Sequence, residues 1–421
     1  MLIEFRVQNY RSLRDEQALT LEAGRVGASS DERPRLVPGH AEALLPAAVI
    51  YGANASGKSN VLSALAFMRE AVILSHRRWE PDGGVPRTSF AWGGKRKESS
   101  TFEATFLIGE TKYAYGFVVN DEVVEEEWLF AWPQNRKQVW FEREGKQFKF
   151  GEHFKGPNDA VREVTRANSL FLSAAAQQGH GQLTPIYTWY REIHAVNIGP
   201  FRGRLWFHHG LMPESRFSPD SEQRSSKTDD AEHTLVIRIR QLLNAADIGI
   251  VDIKRSEIER AVQGGQLRQS RIQLQHQAGD DDSWLDLEDE SAGTKTLFRM
   301  APSVFRVLES GGILLVDELE SSLHPLLGLT ILKMFNCPKA NPKNAQMVFS
   351  THDTNLLGTT LGEPPLRRDQ VWFTEKDKDG ASRLYPLTDY RPRKAENLER
   401  GYLQGRYGAI PFLGDISWIM E

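Results

Sequence analysis

An α/β fold built around a phosphate-binding loop is predicted by three observations. An apolar run meets a glycine-rich loop, helical periodicity starts directly after that loop, and a distant apolar run ends in two carboxylates. The first two lie in residues 47–62, AAVIYGANASGKSNVL, where Gly52, Gly57, Lys58 and Ser59 match G-x-x-x-x-G-K-[ST]. Ala47 to Tyr51 reads as a short buried strand. Val61, Leu62, Leu65, Met68 and Val72 recur at helical spacing, so the loop opens a helix. Glycines let successive N–H groups converge on phosphate oxygens where a larger side chain would clash. Lys58 adds a mobile charge for the β and γ phosphates, and Ser59 offers a hydroxyl to Mg²⁺. Asn54, Ser56 and Asn60 complete the nucleotide-binding candidates of the loop.

The other elements follow in order. Leu2, Phe5 and Val7 alternate with polar residues in an opening strand, and a polar loop at 24–40 leads to the phosphate loop. Beyond the helix, PDGGVP at 81–86 breaks the pattern. Phe102, Ala104, Phe106 and Ile108 then alternate, as do Tyr113, Tyr115, Phe117 and Val119, and strands near 123–132 and 139–150 complete an antiparallel meander. Its aromatics are most simply core, the alternative being a base-stacking face. Residues 160–200 and 231–263 read as mostly helical, separated by an exposed loop, SPDSEQRSSKTDD, at 218–230; short strands are expected at 251–253 and 272–274. An acidic run from Asp280 to Glu290 leads to Ile313-Leu314-Leu315-Val316-Asp317-Glu318, the form of a buried parallel strand presenting acids at its C-terminal edge. Such a strand end alone is commonly just solvated. Paired with a phosphate loop, it places Asp317 on Mg²⁺ through water and Glu318 on the attacking water. Lys58 and Asp317 are so far apart in the chain that the middle is an insertion. The expected division is 1–180 for the first half of a nucleotide-binding head, 181–284 for a mainly helical insertion, and 285–421 for the second half.

Composition sets bounds on partners and compartment. Lys plus Arg number 52 against 56 Asp plus Glu, a net charge of -4, so nucleic-acid contact would need a local patch. Cys337 is the one cysteine, which excludes an internal disulfide and a cysteine metal cluster and fits a reducing cytosol. MLIEFRVQNYRSLRDE carries charge too early for a signal peptide, and no apolar run has the length to cross a bilayer, so a cytoplasmic protein without membrane contact is expected.

Three further stretches fall in an informative order: Glu290-Ser291-Ala292-Gly293-Thr294-Lys295 before the acidic strand, Glu320-Ser321-Ser322-Leu323-His324-Pro325 after it, and Val348-Phe349-Ser350-Thr351-His352-Asp353 at the end of a later strand. This order resembles the ATP-binding-cassette head shared with SMC-type chromosome and repair ATPases. FRVQNYRSL, STHDTNLL and NLERGYLQGRYGAIPFL (397–413) narrow the resemblance to stand-alone cassette-type ATPases of bacterial anti-phage defence loci, often accompanied by a TOPRIM or other nuclease. It covers both ends and the 285–421 half well and the middle third loosely. The signature departs from Leu-Ser-Gly-Gly, with Ala292 in place of the first glycine.

The resemblance implies an α/β P-loop NTPase with an ABC-ATPase-like head, an antiparallel β subdomain and a helical insertion. It implies ATP and Mg²⁺ as ligands and a homodimer that closes over nucleotide, each ATP lying between one subunit's phosphate loop and the other's Ser291 and Gly293. His352 would contact the γ-phosphate, and Ser321 to His324 would cross the seam. Gln177 or Gln178 is the candidate metal-proximal glutamine, with a helix C-cap before Gly179 as the alternative. Arg11 reaches the nucleotide or is a surface arginine. A nuclease effector of TOPRIM type from a neighbouring gene, a phage protein as trigger, and possible higher oligomers complete the expectation. The alternative is a DNA-repair or DNA-end ATPase using Lys95-Arg96-Lys97 or Arg391, Arg393 and Lys394. A nucleolytic chain using Asp377 and Asp379 is disfavoured, because Lys-Asp-Gly there reads as a hairpin turn.

Overall fold

Apolar alternation folds the N-terminus into β1 (Leu2–Gln8), antiparallel to β2 (Gln17–Thr20). The computed structural model describes residues 1–26, 30–198, 227–246, 249–262, 265–277, 283–360, 362–393 and 396–411. Residues 218–226 of the expected exposed loop, Asp280 to Asp282 of the acidic run, Lys394, and positions 412–413 lie outside them. β3 (Ala47–Gly52) is buried at every position and runs through the loop into α1 (Lys58–Arg78). The meander follows as β4 (Ser100–Ile108), β5 (Thr111–Val119), β6 (Val124–Trp132), β7 (Gln138–Glu144) and β8 (Gln147–Phe150). β1 joins its edge, giving the antiparallel order β2-β1-β4-β5-β6-β7-β8. Phe102, Phe106, Tyr115 and Phe117 are fully buried in this sheet and form core, while Tyr113, Trp128, Phe130 and Trp132 are half-buried.

The expected helices appear as α2 (Asn158–Val164), α3 (Phe171–Gln177) and α4 (Thr184–Arg191). The chain then departs from expectation, because Ile193–Val196 is not helical but a strand, β9. Four residues are too few to show a period, and this strand exists by pairing with a distant one. The helical reading of 231–263 holds only in part. α5 (Lys227–Ala245) ends before β10 (Ile250–Val262), which pairs antiparallel with β11 (Gly265–His276) from Ile250↔His276 to Val262↔Gly265. β12 (Trp284–Asp286) adds a third strand. The strands expected at 251–253 and 272–274 are thus the paired base of a long β-hairpin inside the stretch expected to be mainly helical: the Glu, Arg and Lys content between them signals helix locally, and cross-strand pairing overrides that preference.

α6 (Ala292–Ser310) leads to β13 (Ile313–Val316), α7 (Pro325–Asn336), β14 (Gln346–Ser350), β15 (Val371–Lys376), β16 (Ser382–Pro386) and α8 (Leu398–Leu403). These build a second sheet in the order β16-β15-β3-β14-β13-β9, parallel except for the β15-β16 hairpin. α1 shares one core with both sheets: Leu62, Leu65 and Met68 cluster with Phe102 and Tyr115 of the meander and with Ile50, Leu315 and Val348 of the parallel sheet. A helix buried on most of its circumference is apolar on most of it, which explains why α1 lacks a polar stripe.

The chain divides into two compact units, one formed by Met1–Gly199, Val307–Leu319 and Leu332–Glu421, the other by Pro200–Arg306 and Glu320–Ile331. The first boundary lies beyond the expected residue 180, because β9 belongs to the parallel sheet. In the second unit Leu235, Ile239 and Leu243 recur every fourth residue of α5 and are buried, together with Ile250 and Leu274 of the hairpin.

Candidate nucleotide-binding site

Parallel pairing brings the two halves of the site to one edge. β3, β14 and β13 are successive neighbours, so the phosphate loop and Asp317-Glu318 both follow strand ends on the same side of the sheet. Two strand spacings separate them by about 10 Å. The end of β14 lies between.

The loop takes left-handed conformations at Ala55 (φ 61) and Gly57 (φ 115) before α1 begins at Lys58. A Cβ on Gly57 would lie 2.7 Å from Ser382 Cβ and 3.1 Å from Ser12 Oγ, so both dihedral and space require glycine there. At Gly52 a Cβ would meet the Thr374 carbonyl at 2.6 Å. Lys58 Nζ donates to the carbonyls of Gly52 (2.8 Å) and Ala53 (3.0 Å), which holds the ammonium over its own loop. Ser56 Oγ lies 2.6 Å from Thr374 Oγ1, Asn54 is exposed, and Ser59 and Asn60 are half-buried at the helix start.

Residues that the sequence did not single out hold this loop. Ser382 Oγ donates to the Ser56 carbonyl (2.6 Å) and lies 2.7 Å from Ser12 Oγ, which accepts from Asn60 Nδ2 at 2.6 Å. The Ser382 N–H donates to the Ser12 carbonyl at 2.7 Å. Arg11, at φ 51, donates to Ser63 Oγ at 3.3 Å, one turn along α1 from Ser59, so the structure brings Arg11 to the loop.

The acidic half is clamped by Ser350, fully buried at the end of β14. Its hydroxyl donates to Asp317 Oδ1 (2.6 Å) and accepts the Glu318 N–H (2.8 Å), while its carbonyl accepts the Leu319 N–H (3.0 Å). Asp317 is 5% exposed and forms no ion pair among the described residues. Glu318 is exposed and sits at φ 53, a left-handed conformation that a non-glycine residue adopts at a cost of about 1–3 kcal/mol. His352 is exposed two residues beyond Ser350.

Gln178 falls elsewhere. It is the exposed C-cap of α3, its N–H donating to the Ala174 carbonyl, with Gly179 at φ 69 behind it. Leu170 N–H donates to Ser75 Oγ, and Tyr187 and Tyr190 bond Ile73 and Met68, so α4 runs antiparallel to α1 and the α3–α4 junction lies near the far end of α1. That end is about 28 Å from Ser59 at 1.5 Å per residue. The cap role explains Gln178, and the same end of α3 carries Gln177. Asp377 and Asp379 also have ordinary roles. Asp377 Oδ1 accepts the N–H groups of Asp379 and Ala381 in the β15-β16 turn, and both carboxylates pair with Arg14.

In the second unit Ser291 caps α6: its hydroxyl accepts the Thr294 N–H at 3.1 Å and remains exposed. A Cβ on Gly293 would lie 2.9 Å from the Ser322 carbonyl, which requires the small residue. Ser322 (φ 63) and His324 are exposed, and Nδ1 of His324 accepts the Leu326 N–H at the start of α7.

The donor set fits a hard cation held jointly with phosphate. One buried carboxylate without an ion-pair partner and one hydroxyl suit Mg²⁺, which keeps waters and takes few protein ligands. Among the described residues no group of three or more His, Cys, Asp or Glu could hold a metal alone.

A phosphate loop and an acidic strand on either side of one intervening strand in a parallel sheet, flanked by an antiparallel sheet on α1, define an α/β P-loop NTPase with an ABC-ATPase-like head. Over residues 47–358, more than half of its length, the chain matches the family described as “AAA domain, putative AbiEii toxin, Type IV TA system”, and it belongs to that family. It is therefore a nucleotide-binding P-loop ATPase of the AAA type. Solved structures that it resembles include an SMC head bound to the C-winged-helix domain of ScpA, at 12% identity and TM-score 0.42 over 91% of this chain and 96% of that one. The SMC head domain from Thermotoga maritima gives 12% and 0.38 over 91% and 98%. An Smc head with extended coiled coil bound to the C-terminal domain of ScpA, from Pyrococcus furiosus, gives 12% and 0.38 over 93% and 97%. No curated protein sequence matches the chain. Among the described residues no helix is long and apolar enough to cross a membrane.

Proposed function

We propose that the chain hydrolyses ATP with Mg²⁺, that two copies close over nucleotide, and that this pairing controls a nuclease partner of TOPRIM type in anti-phage defence. The observation that carries the catalytic part is the shared sheet edge, with Ser350 on the intervening strand fixing Asp317 and Glu318 across from the phosphate loop. Loop N–H groups and Lys58 bind the β and γ phosphates, Arg11 approaches from the N-terminal turn, and Asn54, Ser56 and Asn60 shape the loop. Ser59 and Asp317 would hold Mg²⁺, which when bound neutralises phosphate charge. Glu318 takes the proton of the attacking water, and His352 contacts the γ-phosphate.

One copy leaves the γ-phosphate incompletely satisfied. Ser291 and Gly293 at the start of α6 in a second copy supply the missing hydroxyl and N–H groups, and Ser321 to His324 lie along the seam. ATP thus joins the pair and hydrolysis releases it. The defence role is supported by the resemblance of FRVQNYRSL, STHDTNLL and the 397–413 stretch, and a phage component is the trigger it implies.

Lys58→Ala should abolish ATP binding in calorimetry, and unchanged affinity would remove the loop from the account. Co-expression with the product of the neighbouring gene should give a complex with a nuclease activity that changes with ATP. Cleavage indifferent to both the chain and ATP would end the effector reading.

A further inference from the structure

A cavity of about 700 Å³ opens near the C-terminal end of the first unit, lined by Tyr390, Arg391, Arg393, Glu396, Arg406 and Tyr407. Three guanidiniums face one carboxylate, and that carboxylate is already engaged. Glu396 Oε1 accepts from Arg406 (2.8 Å) and from the Tyr407 hydroxyl (2.7 Å), and its Oε2 accepts the Arg393 N–H (3.0 Å). Arg391 and Arg393 are exposed, and their side chains have no hydrogen bond or ion pair among the described residues. Among the described residues, two positive charges therefore stand without an ion-pair partner in one concavity. Its wall is braced: Arg368 donates to the carbonyls of Pro392 and Arg393, and Arg391 is fixed at φ 46. Beside them Tyr390, 44% exposed, rests edge-on against Tyr407 (5.6 Å, 72°) and near Tyr385 (5.9 Å), which leaves ring surface open to the cavity.

An anion alone would need only the arginines, and an apolar ligand only the rings. Their combination matches a group that carries both, since guanidiniums bind phosphate and an exposed tyrosine stacks on a base. We infer that this cavity binds a nucleotide unit, its phosphate on Arg391 and Arg393 and its base on Tyr390, separately from the phosphate loop. The unit comes either from a single strand or from a free nucleotide. In both cases the cavity would report nucleotide outside the ATP site.

Fluorescence anisotropy tests this with fluorescein-labelled (dT)12 and with a fluorescent AMP, using the full chain carrying Lys58→Ala to silence the loop. At least one probe should bind. Arg391→Gln with Arg393→Gln should weaken binding tenfold or more and, for the oligonucleotide, flatten the log–log salt slope by about 0.7 for the one phosphate released. Tyr390→Ala should weaken it by about tenfold. Both arginines are exposed, so an unchanged melting temperature in the double variant will show that the fold is intact. AMP binding at least as tight as (dT)12 assigns a free nucleotide, and binding of (dT)12 alone assigns a strand. Failure of both probes to bind, or equal affinity in parent and variants, overturns the inference.

Discussion

Removing one buried hydroxyl, Ser350→Ala, should slow ATP turnover without weakening ATP binding. In the parent the Ser350 hydroxyl serves both acidic residues, at 2.6 Å to Asp317 and 2.8 Å from the Glu318 nitrogen. The first bond ends on a carboxylate and contributes about 1.5–3 kcal/mol, the second about 1 kcal/mol. Ser350 is fully buried and Asp317 nearly so, so solvent does not replace the lost group. About 2.5–4 kcal/mol is therefore at stake. The Leu319 N–H still reaches the Ser350 carbonyl, so the turn survives with Asp317 and Glu318 less tightly aimed. If about half of the loss falls on the transition state, kcat drops about 10- to 30-fold at 1.36 kcal/mol per decade. The phosphate loop and Lys58 make none of these contacts, so the calorimetric Kd for ATP should stay within about threefold. Steady-state ATPase assays with calorimetry separate the two quantities. A kcat within twofold of the parent, or a loss carried entirely by Kd, would refute the reasoning.

Three more expectations follow from particular residues. Glu318→Asn should abolish hydrolysis while raising stability in urea by about 0.5–1 kcal/mol, since asparagine tolerates the left-handed conformation that Glu318 endures; a loss of stability would remove backbone strain from the account. Gly57→Ala should destabilise by about 2 kcal/mol or more and eliminate ATP binding, because it adds a Cβ against Ser382 at φ 115, and near-parental binding would contradict the loop geometry. His180 should make stability fall as pH drops through 6.5. Burial lowers its pKa below the ordinary value, and Nδ1 accepts the Leu183 N–H (3.3 Å), a bond that a proton on Nδ1 destroys. The unfolded chain thus binds the proton more tightly, stability is complete above the unfolded pKa, and it is lost toward the lower folded one. Urea midpoints at pH 7.5 and 5.5 should differ in the parent and converge in His180→Gln.

The legible parts of this molecule are those whose signal is local. The loop at 52–59, the meander with its alternating aromatics, and the strand before Asp317 can be read because period, turn residues and motif coincide within a few positions. β9 escaped, and of the β10-β11 hairpin only its base was read, as the strands at 251–253 and 272–274, since the rest depends on a partner strand: Ile193–Val196 pairs with residues 313–316, and the charged sequence of β10 signals helix until β11 is beside it. Ser12, Ser350 and Ser382 escaped for a related reason. Serine is common and carries no spacing rule, and only folding brings residues 12 and 382 within 2.7 Å. Glu127 is the sharpest case. Set in a run of three glutamates, it reads as solvated, yet it is fully buried, accepting the Phe171 and Leu172 N–H groups at the start of α3 with Arg143 beside it.

Native mass measurement of Glu318→Gln with saturating ATP and Mg²⁺ tests the composite pocket most directly. Slowed hydrolysis should trap an assembly of twice the mass of one chain that dissociates without ATP and fails to form when Ser291→Arg is added. A single-chain mass for protein that calorimetry shows to be ATP-bound would contradict the claim that a second copy completes the site.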